Sequence, residues 1–509
     1  MQLRVNFNEF KLFEPNNKYK IFHKDIIDEN FNIIKSNRSK IVLSGVLDIN
    51  TKMSYGYDKN RNPYKLFIPF NRNFPNFIVS YKNKKVESNK IISIKFISWL
   101  NEFPLGENIE TYGNLNPLLN QLELINIYEK SLVNYNGYTQ IKRNKTKYDI
   151  NKLNEIFYTD IHNQNFKLIC NIDPPGCTDI DDVISYSEID EYKIIGIHIS
   201  DVAYVLKLFD QEFNEKDRYC TIYPGHGKPY NIINDDIIDN FLSLNPDKMR
   251  YVWSLYIYIN DLNEIENIEL KPEKIINKIS YTYDQVDDIL KTDNTSYLYY
   301  ISEFCLKLSQ TKYQNIEYDI NNSHHLISIL MIFYNHYVGE YLNKNPNTIY
   351  RINNKTTSYQ FNSTNIHTNL NLTNYLHITS PIRRYIDQYN QNLLYDIYNE
   401  VDLDKINESL NEMKIINNKY KLCRLIDNIH DAKLININYD ENKLYLKWLI
   451  SEEKISDIII DPLLEINNNE YKLINRINNK EIILKLNEIY KLEVKFILSI
   501  IPIISLIYF

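Results

Sequence analysis

The sequence predicts an α+β protein in which a central domain, a mixed sheet with helices, stands between two small β-barrels. Three observations carry that expectation. Short β-rich runs separated by Asn, Pro and Lys turns fill residues 37–120, strands then alternate with helical pieces over 153–435, and short strands return from 440 to 509. With 509 residues, 44% of them apolar, the chain is long enough for two to four domains with sizeable cores.

Residues 1–36 mix apolar and charged side chains without a period and read as an N-terminal extension. From Lys40, "KIVLSGVLDI", "YKLFIPF", "NFIVSYK" and "IISIKFISW" have the spacing of a five-stranded barrel. Residues 121–152, ending in the basic "TQIKRNKTKYDINK", read as a linker. In the central region "NFKLICNID", "DVISYSEI", "YKIIGIHIS" and "YVWSLYIYIN" are strands. "SYTYDQVDDILK", "SYLYYISEFCLKLSQ", "HHLISILMIFYNHYVGEYL" and "YIDQYNQNLLYDIYNEV" repeat apolar residues at i, i+3, i+4 and i+7, as amphipathic helices do. The tail, from "KLYLKWLI" to "YKLEVKFILSII", is expected to form the second barrel. Its last apolar run, Phe496 to Phe509, is shorter than the roughly 20 residues a spanning helix needs and contains Pro502, so it reads as strand and no membrane is expected.

A formal charge of -7 argues against a protein that coats nucleic acid without specificity. Five scattered cysteines with no C-x-x-C pair suggest a reducing compartment, and the N-terminus has no apolar core after a basic end, so a cytoplasmic location is expected.

The densest chemistry lies in "NIDPPGCTDIDDVISY", which sets Asp173, Asp179, Asp181 and Asp182 within ten residues. "LICNID" reads as a strand delivering Asp173 at its end, and Pro174-Pro175-Gly176 forces a turn. If the chain re-enters extended, Asp179 and Asp181 share one side and Asp182 faces the other. Two like charges about 4 Å apart repel by about 1 kcal/mol in water and about 4 kcal/mol at an effective dielectric near 20, so a buried cluster needs protons or a cation. Hard carboxylate oxygens favour Mg²⁺, or Mn²⁺, over zinc. A solvated acidic turn is the alternative reading of this stretch alone. A calcium-binding EF-hand loop is excluded, because Val183, Ile184 and Asp190 fall where that loop needs other residues.

"DPPGCTDIDD" resembles the acidic signature of the ribonuclease II (RNB) family, D-x5-D-x-D-D, in a form similar to that of the catalytic subunit of the eukaryotic exosome. Further segments follow in the family's order: "IIGIHISDVAYVL", "YCTIYPGHGKPYNI", "DNFLSLNPDKMRYVWSLYIYIN", "SYTYDQV", "MIFYNHYVGEYL" and "YLHITSPIRRYID". Upstream, "LFIPFNRNFPNFIV" and "SWLNEFPLGENIETYGNL" resemble the exosome subunit's second cold-shock barrel.

The resemblance implies an RNB catalytic domain over 153–435 between an OB-type cold-shock barrel (37–120) and an S1-like barrel (440–509). It implies a metal-dependent hydrolytic exoribonuclease that degrades single-stranded RNA from the 3′ end to nucleoside 5′-monophosphates, acting as a monomer. By the same resemblance, Asp173 and Asp182 hold Mg²⁺, Asp179 supports the site, and Asp181 lies closest to the reacting end or a second metal. Arg383 and Arg384 hold backbone phosphates, and Tyr223 stacks on a base near the 3′ end. His198 and His377 lie inside motifs but read as core residues.

Two departures limit the inference. Gln391 and Asn392 stand where the family has a His-Arg pair, which predicts weaker contacts to RNA. Ahead of the barrel there is room for neither the exosome subunit's endonuclease domain nor its first cold-shock barrel, so docking to the exosome core is not implied. An RNB-fold RNA-binding or regulatory protein that no longer cuts is the rival expectation. A DxD sugar transferase would account for the acidic cluster and for none of the other motifs.

Overall fold

The structure, a computed structural model, describes residues 3–4, 18–135 without 83–87 and 117–118, residue 137, residues 165–426 apart from the loops 190–191, 210–217, 225–227, 354–356 and 362–366, and most strand residues between 429 and 508. The basic segment 139–152 and the first residues of the expected catalytic domain lie outside that description. The chain divides into two units: Met1–Lys142 with Ile222–Tyr230 and Glu412–Phe509, and Arg143–Thr221 with Asn231–Asn411.

In the first unit, short strands β1 (Leu3–Arg4), β2 (Ile26–Ile27) and β3 (Ile33–Lys35) make a small antiparallel sheet. Strands β4 (Val42–Asp48), β5 (Tyr64–Pro69), β6 (Phe77–Ser80), β7 (Lys90–Ser98) and β8 (Leu105–Asn114) close into a barrel in the order β4-β5-β6-β8-β7. Inward alternation puts Leu43, Leu47, Phe67, Phe77, Ile92 and Ile94 in its core. Gly45 is required there, because a Cβ would come within 2.3 Å of the Ile68 carbonyl oxygen.

The segment read as a linker opens with helix α1 (Gln121–Ser131). Asn120 and Glu123 form a capping box, and Leu124, Ile125 and Tyr128 bury one face, with the Tyr128 ring edge-on to Phe70.

The second unit is built on six strands: β9 (Leu168–Ile172), β10 (Asp182–Ile189), β11 (Tyr192–Ser200), β12 (Met249–Ile259), β13 (Ile265–Ile276) and β14 (Ile279–Tyr281). Helix α2 (Val202–Leu208) follows β11. The sheet order is β13-β12-β11-β10-β9-β14, antiparallel throughout except that β14 runs parallel to β9. Ile184, Tyr186, Ile195, Ile197, Ile199, Leu255 and Ile257 cover one face and share a core with the helices that follow. These are α3 (Tyr283–Thr292), α4 (Tyr297–Thr311), α5 (Ser323–Tyr341) and, after the hairpin β15 (Ile349–Asn353) and β16 (Thr357–Phe361), α6 (Tyr385–Leu393). Helix α7 (Leu403–Arg424) follows.

Among the described residues, the C-terminal strands, where a second barrel is expected, pair in two sheets. Strands β17 (Ile429–Asp440), β18 (Lys443–Ile450), β19 (Glu453–Ile460), β23 (Ile489–Ile497) and β24 (Ile503–Tyr508) form an open sheet in the order β19-β18-β17-β23-β24. Strands β20 (Leu464–Asn467), β21 (Glu470–Ile474) and β22 (Glu481–Leu484) pair with one another instead of bridging the two edges. The apolar run at the end supplies β24, which pairs with β23. Among the described residues no helix is long and apolar enough to cross a membrane.

Candidate active site

Strand β9 ends one residue before Asp173, whose amide donates to the Tyr281 carbonyl at 3.0 Å and so continues the sheet by one bond. The chain then reverses: the Cys177 amide reaches the Pro174 carbonyl at 3.2 Å, and Gly176 sits at φ +79°, the left-handed position a type II turn needs third in line. Residues 177–181 are irregular, and β10 begins at Asp182.

Two partners far away in sequence hold this loop. The Ile180 amide donates to Ser243 Oγ at 3.1 Å, and the Leu244 amide to the Ile180 carbonyl at 3.0 Å. A carboxamide chain orients Asp173: Asn277 Nδ2 donates to Asn171 Oδ1 at 2.8 Å, and Asn171 Nδ2 donates to Asp173 Oδ2 at 2.9 Å.

The second half of the site is the turn in "TSPIRRY". Asp181 is 3% exposed; its Oδ1 accepts the Ile382 amide at 2.8 Å and its Oδ2 accepts Arg383 Nε at 2.9 Å. Arg383 also donates to Ser380 Oγ at 2.9 Å, while its side chain stays 43% exposed. Arg384 turns the other way, donating to Asp387 Oδ1 at 2.7 Å just inside α6. Asp387 is fully buried and also takes the Ser380 amide at 2.8 Å, which fixes the turn that presents Arg383.

Burial sets the electrostatics. It raises the Asp181 carboxyl to about 7 against the pull of Arg383. Burial, then the Asp173 and Asp181 charges, pushes Asp182 well above the usual carboxylate range. Asp173 also rises, burial first, with the Asn171 amide opposing. Asp179 is 8% exposed and takes a 3.7 Å contact from Cys177 Sγ. No three of the four bring oxygens within 4.8 Å of one another.

An all-oxygen donor set whose members repel suits a hard divalent cation. Mg²⁺ in phosphoryl sites takes one or two protein carboxylates and completes its shell with water and phosphate oxygens, so three converging carboxylates are not required.

The structure thus brings Asp173, Asp179, Asp181, Asp182 and Arg383 into one neighbourhood, with Arg384 beside it but paired to Asp387. Tyr223 belongs to the other unit, where it is half-buried and its amide lies 3.4 Å from Asn417 Oδ1. The sequence reading missed Tyr283. Thr282 caps α3 through a box with Gln285, so Tyr283 opens the helix. Burial and the nearby Asp182 and Asp173 carboxylates push its phenol up, and its ring stacks on His324 at 3.7 Å between centroids and 12° between planes. Gln391 and Asn392, read as altered RNA contacts, are instead buried at 0% and 2% exposure. Gln391 Nε2 donates to the Ser200 carbonyl and its Oε1 accepts the Val202 and Ala203 amides, which ties α6 to the start of α2.

The RNB domain family model matches residues 158–368 and 355–400, a span that contains every residue of this site. The chain carries an RNB domain. Ribonuclease R of Mycoplasma genitalium is 27% identical over 177 residues, 34% of this chain and 24% of that protein. Human exosome complex exonuclease RRP44 is 33% identical over 119 residues, 23% of this chain and 12% of that protein. The matched segments therefore span a quarter or less of these relatives. Among solved structures, M. genitalium RNase R in complex with ribose methylated single-stranded RNA superposes with a TM-score of 0.64 at 16% identity, covering 97% of this chain and 96% of that one. Yeast Ssd1, described as a pseudonuclease, gives 0.58 at 14% identity over 91% of this chain and 69% of that one. Both are likenesses of fold, one to a protein named as a ribonuclease and one to a protein described as a pseudonuclease.

Proposed function

We propose that the chain is a divalent-cation-dependent hydrolytic exoribonuclease that takes single-stranded RNA from its 3′ end and releases nucleoside 5′-monophosphates. The observation that carries this reading is the meeting of the two turns: a buried Asp181 held by the Ile382 amide and by Arg383, among three further aspartates.

In this reading Asp173 and Asp182 would hold the cation, Mg²⁺ or Mn²⁺, with Asp179 and Asp181 completing the acidic set. When bound, the cation supplies Lewis-acid stabilisation of the reacting phosphate and lowers the pKa of water. The protein's own groups do the rest. Asp181, raised to about 7 by burial with Arg383 and the Ile382 amide opposing, would accept a proton from the attacking water in its carboxylate form. Arg383 stabilises charge that develops on the phosphate, and its exposed face leaves room for that contact. Asp387 keeps Arg384 and the turn in place, so Arg384 meets the RNA backbone from a fixed position. Tyr223 stacks on a base near the 3′ end, a contact indifferent to sequence.

The rival is an RNA-binding protein of the same fold that does not cut; the likeness to Ssd1 motivates it, and retention of the four aspartates opposes it. The deciding experiment is incubation of pure protein with 5′-labelled single-stranded RNA, with Mg²⁺ and with EDTA. The expected outcome is 5′-monophosphate and a shrinking labelled strand with Mg²⁺, and neither with EDTA. Wild type yielding no mononucleotide, or degrading equally in EDTA, rejects the proposal.

A further inference from the structure

The sheet that carries the acidic turn has a second face, opposite the core it shares with the helices. Beside Ile184 and Ile197 on the helix side, the opposite side carries Ser185, Ser187, His198, Ser254, Tyr256 and Tyr258. His198 is fully buried there, bonded to Ser254 Oγ at 2.7 Å through Nδ1 and to Ser185 Oγ at 2.8 Å through Nε2. Burial lowers its basicity to about 3, so it is neutral and structural. Its ring joins an aromatic row, with centroids 5.6 Å from Phe166 and 5.5 Å from Tyr256.

Over this row opens a cavity of about 320 Å³ whose lining includes Asn165, Phe166, Tyr256, Tyr258, Lys271 and Glu273. That is the lower end of the size range of small-molecule sites. Lys271 lies 4.9 Å from the Tyr256 ring centre and 3.1 Å from Glu269, with its side chain 41% exposed. Glu273 accepts the Tyr256 hydroxyl at 2.7 Å. The lining therefore offers π-surfaces, one ammonium and one carboxylate in a single cleft. Ser187 lies five positions beyond Asp182 in β10 and on the opposite side, so the cavity is about 17 Å along the strand from the acidic turn at ~3.3 Å per residue.

We propose that this cavity is a second binding site, for one nucleotide unit. A base stacks on the aromatic row, Glu273 accepts from ribose hydroxyls, and Lys271 faces the phosphate. Stacking on aromatic rings is tolerant of sequence, and carboxylate-to-ribose and ammonium-to-phosphate contacts are the natural complements of the rest of the unit. The unit is either a free mononucleotide or one residue of an RNA strand. The inference concerns binding alone and stands apart from the cleavage reading.

The test uses the full chain in EDTA, probed by hydrogen exchange and by equilibrium binding of 5′-AMP and of a short oligo(A) RNA. Protection of residues 253–259 and 268–274 by 5′-AMP assigns a free-nucleotide site; protection by the RNA only assigns a strand-holding site. Tyr258→Ala should weaken binding at this site by about fivefold to a hundredfold, the range for loss of one stacking contact. Lys271→Glu, a change at an exposed side chain that leaves the fold intact, should weaken it about tenfold or more, while Arg383→Ala leaves it unchanged. Protection by neither probe overturns the proposal. So does binding that Arg383→Ala abolishes and the two pocket variants spare, which would place the nucleotide at the acidic turn alone.

Discussion

Two stretches of this protein take polar side chains out of water, the acidic turn at 173–182, where Asp179 and Asp181 are buried, and the run Asp387–Asn392 in α6, which is buried throughout, and they do so on different principles. In α6 the buried carboxamides find neutral backbone, while Asp387 pairs with Arg384. Gln388 donates to the Pro381 carbonyl, Asn390 bonds both ways with Ile349 and donates to His377, and Gln391 bridges β11 and α2. In the acidic turn like charges crowd together, and burial pushes Asp173, Asp181 and Asp182 toward protonation. Buried carboxamides bonded to backbone specify a fold; carboxylates crowded together and pushed toward protonation mark where a cation belongs.

The comparison breaks first at Asp181. If this carboxylate serves the reaction, Asp181→Asn should lower turnover by about a thousandfold or more while single-stranded RNA affinity changes less than about threefold, because the isosteric amide still accepts the Ile382 amide. Single-turnover rates beside filter-binding affinities read both quantities. Equal losses of binding and rate would assign Asp181 to holding the strand instead.

The two adjacent arginines sharpen the contrast. Arg383 belongs to the acidic side and Arg384 to the α6 side. Arg383→Ala should depress kcat by about a hundredfold and lower the melting temperature less than Arg384→Ala does, because Asp181 keeps the Ile382 amide and can take up a proton. Arg384→Ala leaves Asp387 buried with one charged partner fewer and should cost stability as well as affinity. Arg384→Ala matching Arg383→Ala in both rate and melting temperature would erase the distinction.

Within α6, Gln391→Ala removes one donor and an acceptor shared by two amides. It should destabilise the chain by about 1–3 kcal/mol, read by urea unfolding, with kcat of the folded fraction nearly unchanged. A stable variant with poor RNA affinity would restore the sequence-based view that this position contacts RNA.

What the sequence made legible follows from how local the signal is. The four aspartates and "TSPIRRY" lie in short runs whose spacing survives any fold, and the strand periodicity around them predicted the sheet. Ser243, 63 residues from Ile180, lies in a quoted motif and Asn277, 106 residues from Asn171, in none, but for neither does the sequence show which residue it meets, because that contact is made only on folding. Tyr283 hid for a different reason: in a chain with 43 tyrosines, its place as first residue of a capped helix was readable but its neighbours were not. Helix α1 was legible, since Asn120, Glu123 and the spacing of Leu124, Ile125 and Tyr128 spell a capped amphipathic helix inside what the charge run suggested was linker. The pairing order of the C-terminal strands was not, because it depends on which distant edges meet.

The smallest effect is also the most direct probe of stored charge. A carboxyl whose folded-state pKa is raised stabilises the fold below its unfolded value, about 3.9, and loses that contribution as pH climbs through the folded value. For Asp181 that loss is complete only above about 7, and for Asp201, buried and bonded to the Tyr395 hydroxyl outside the acidic turn, above about 6. In EDTA the melting temperature should therefore fall as pH rises from 5 to 8. A divalent cation competes with the protons on the acidic turn but not with the one on Asp201. Added Mg²⁺ should raise the melting temperature more at pH 8 than at pH 5.5, with part of the downward slope remaining. Asp182→Asn should remove the cation-dependent part and leave the remainder. A Mg²⁺ shift that is equal at both pH values, or larger at pH 5.5, would mean that the cation does not bind where the protons do, and the contrast between the two buried stretches would lose its chemical meaning.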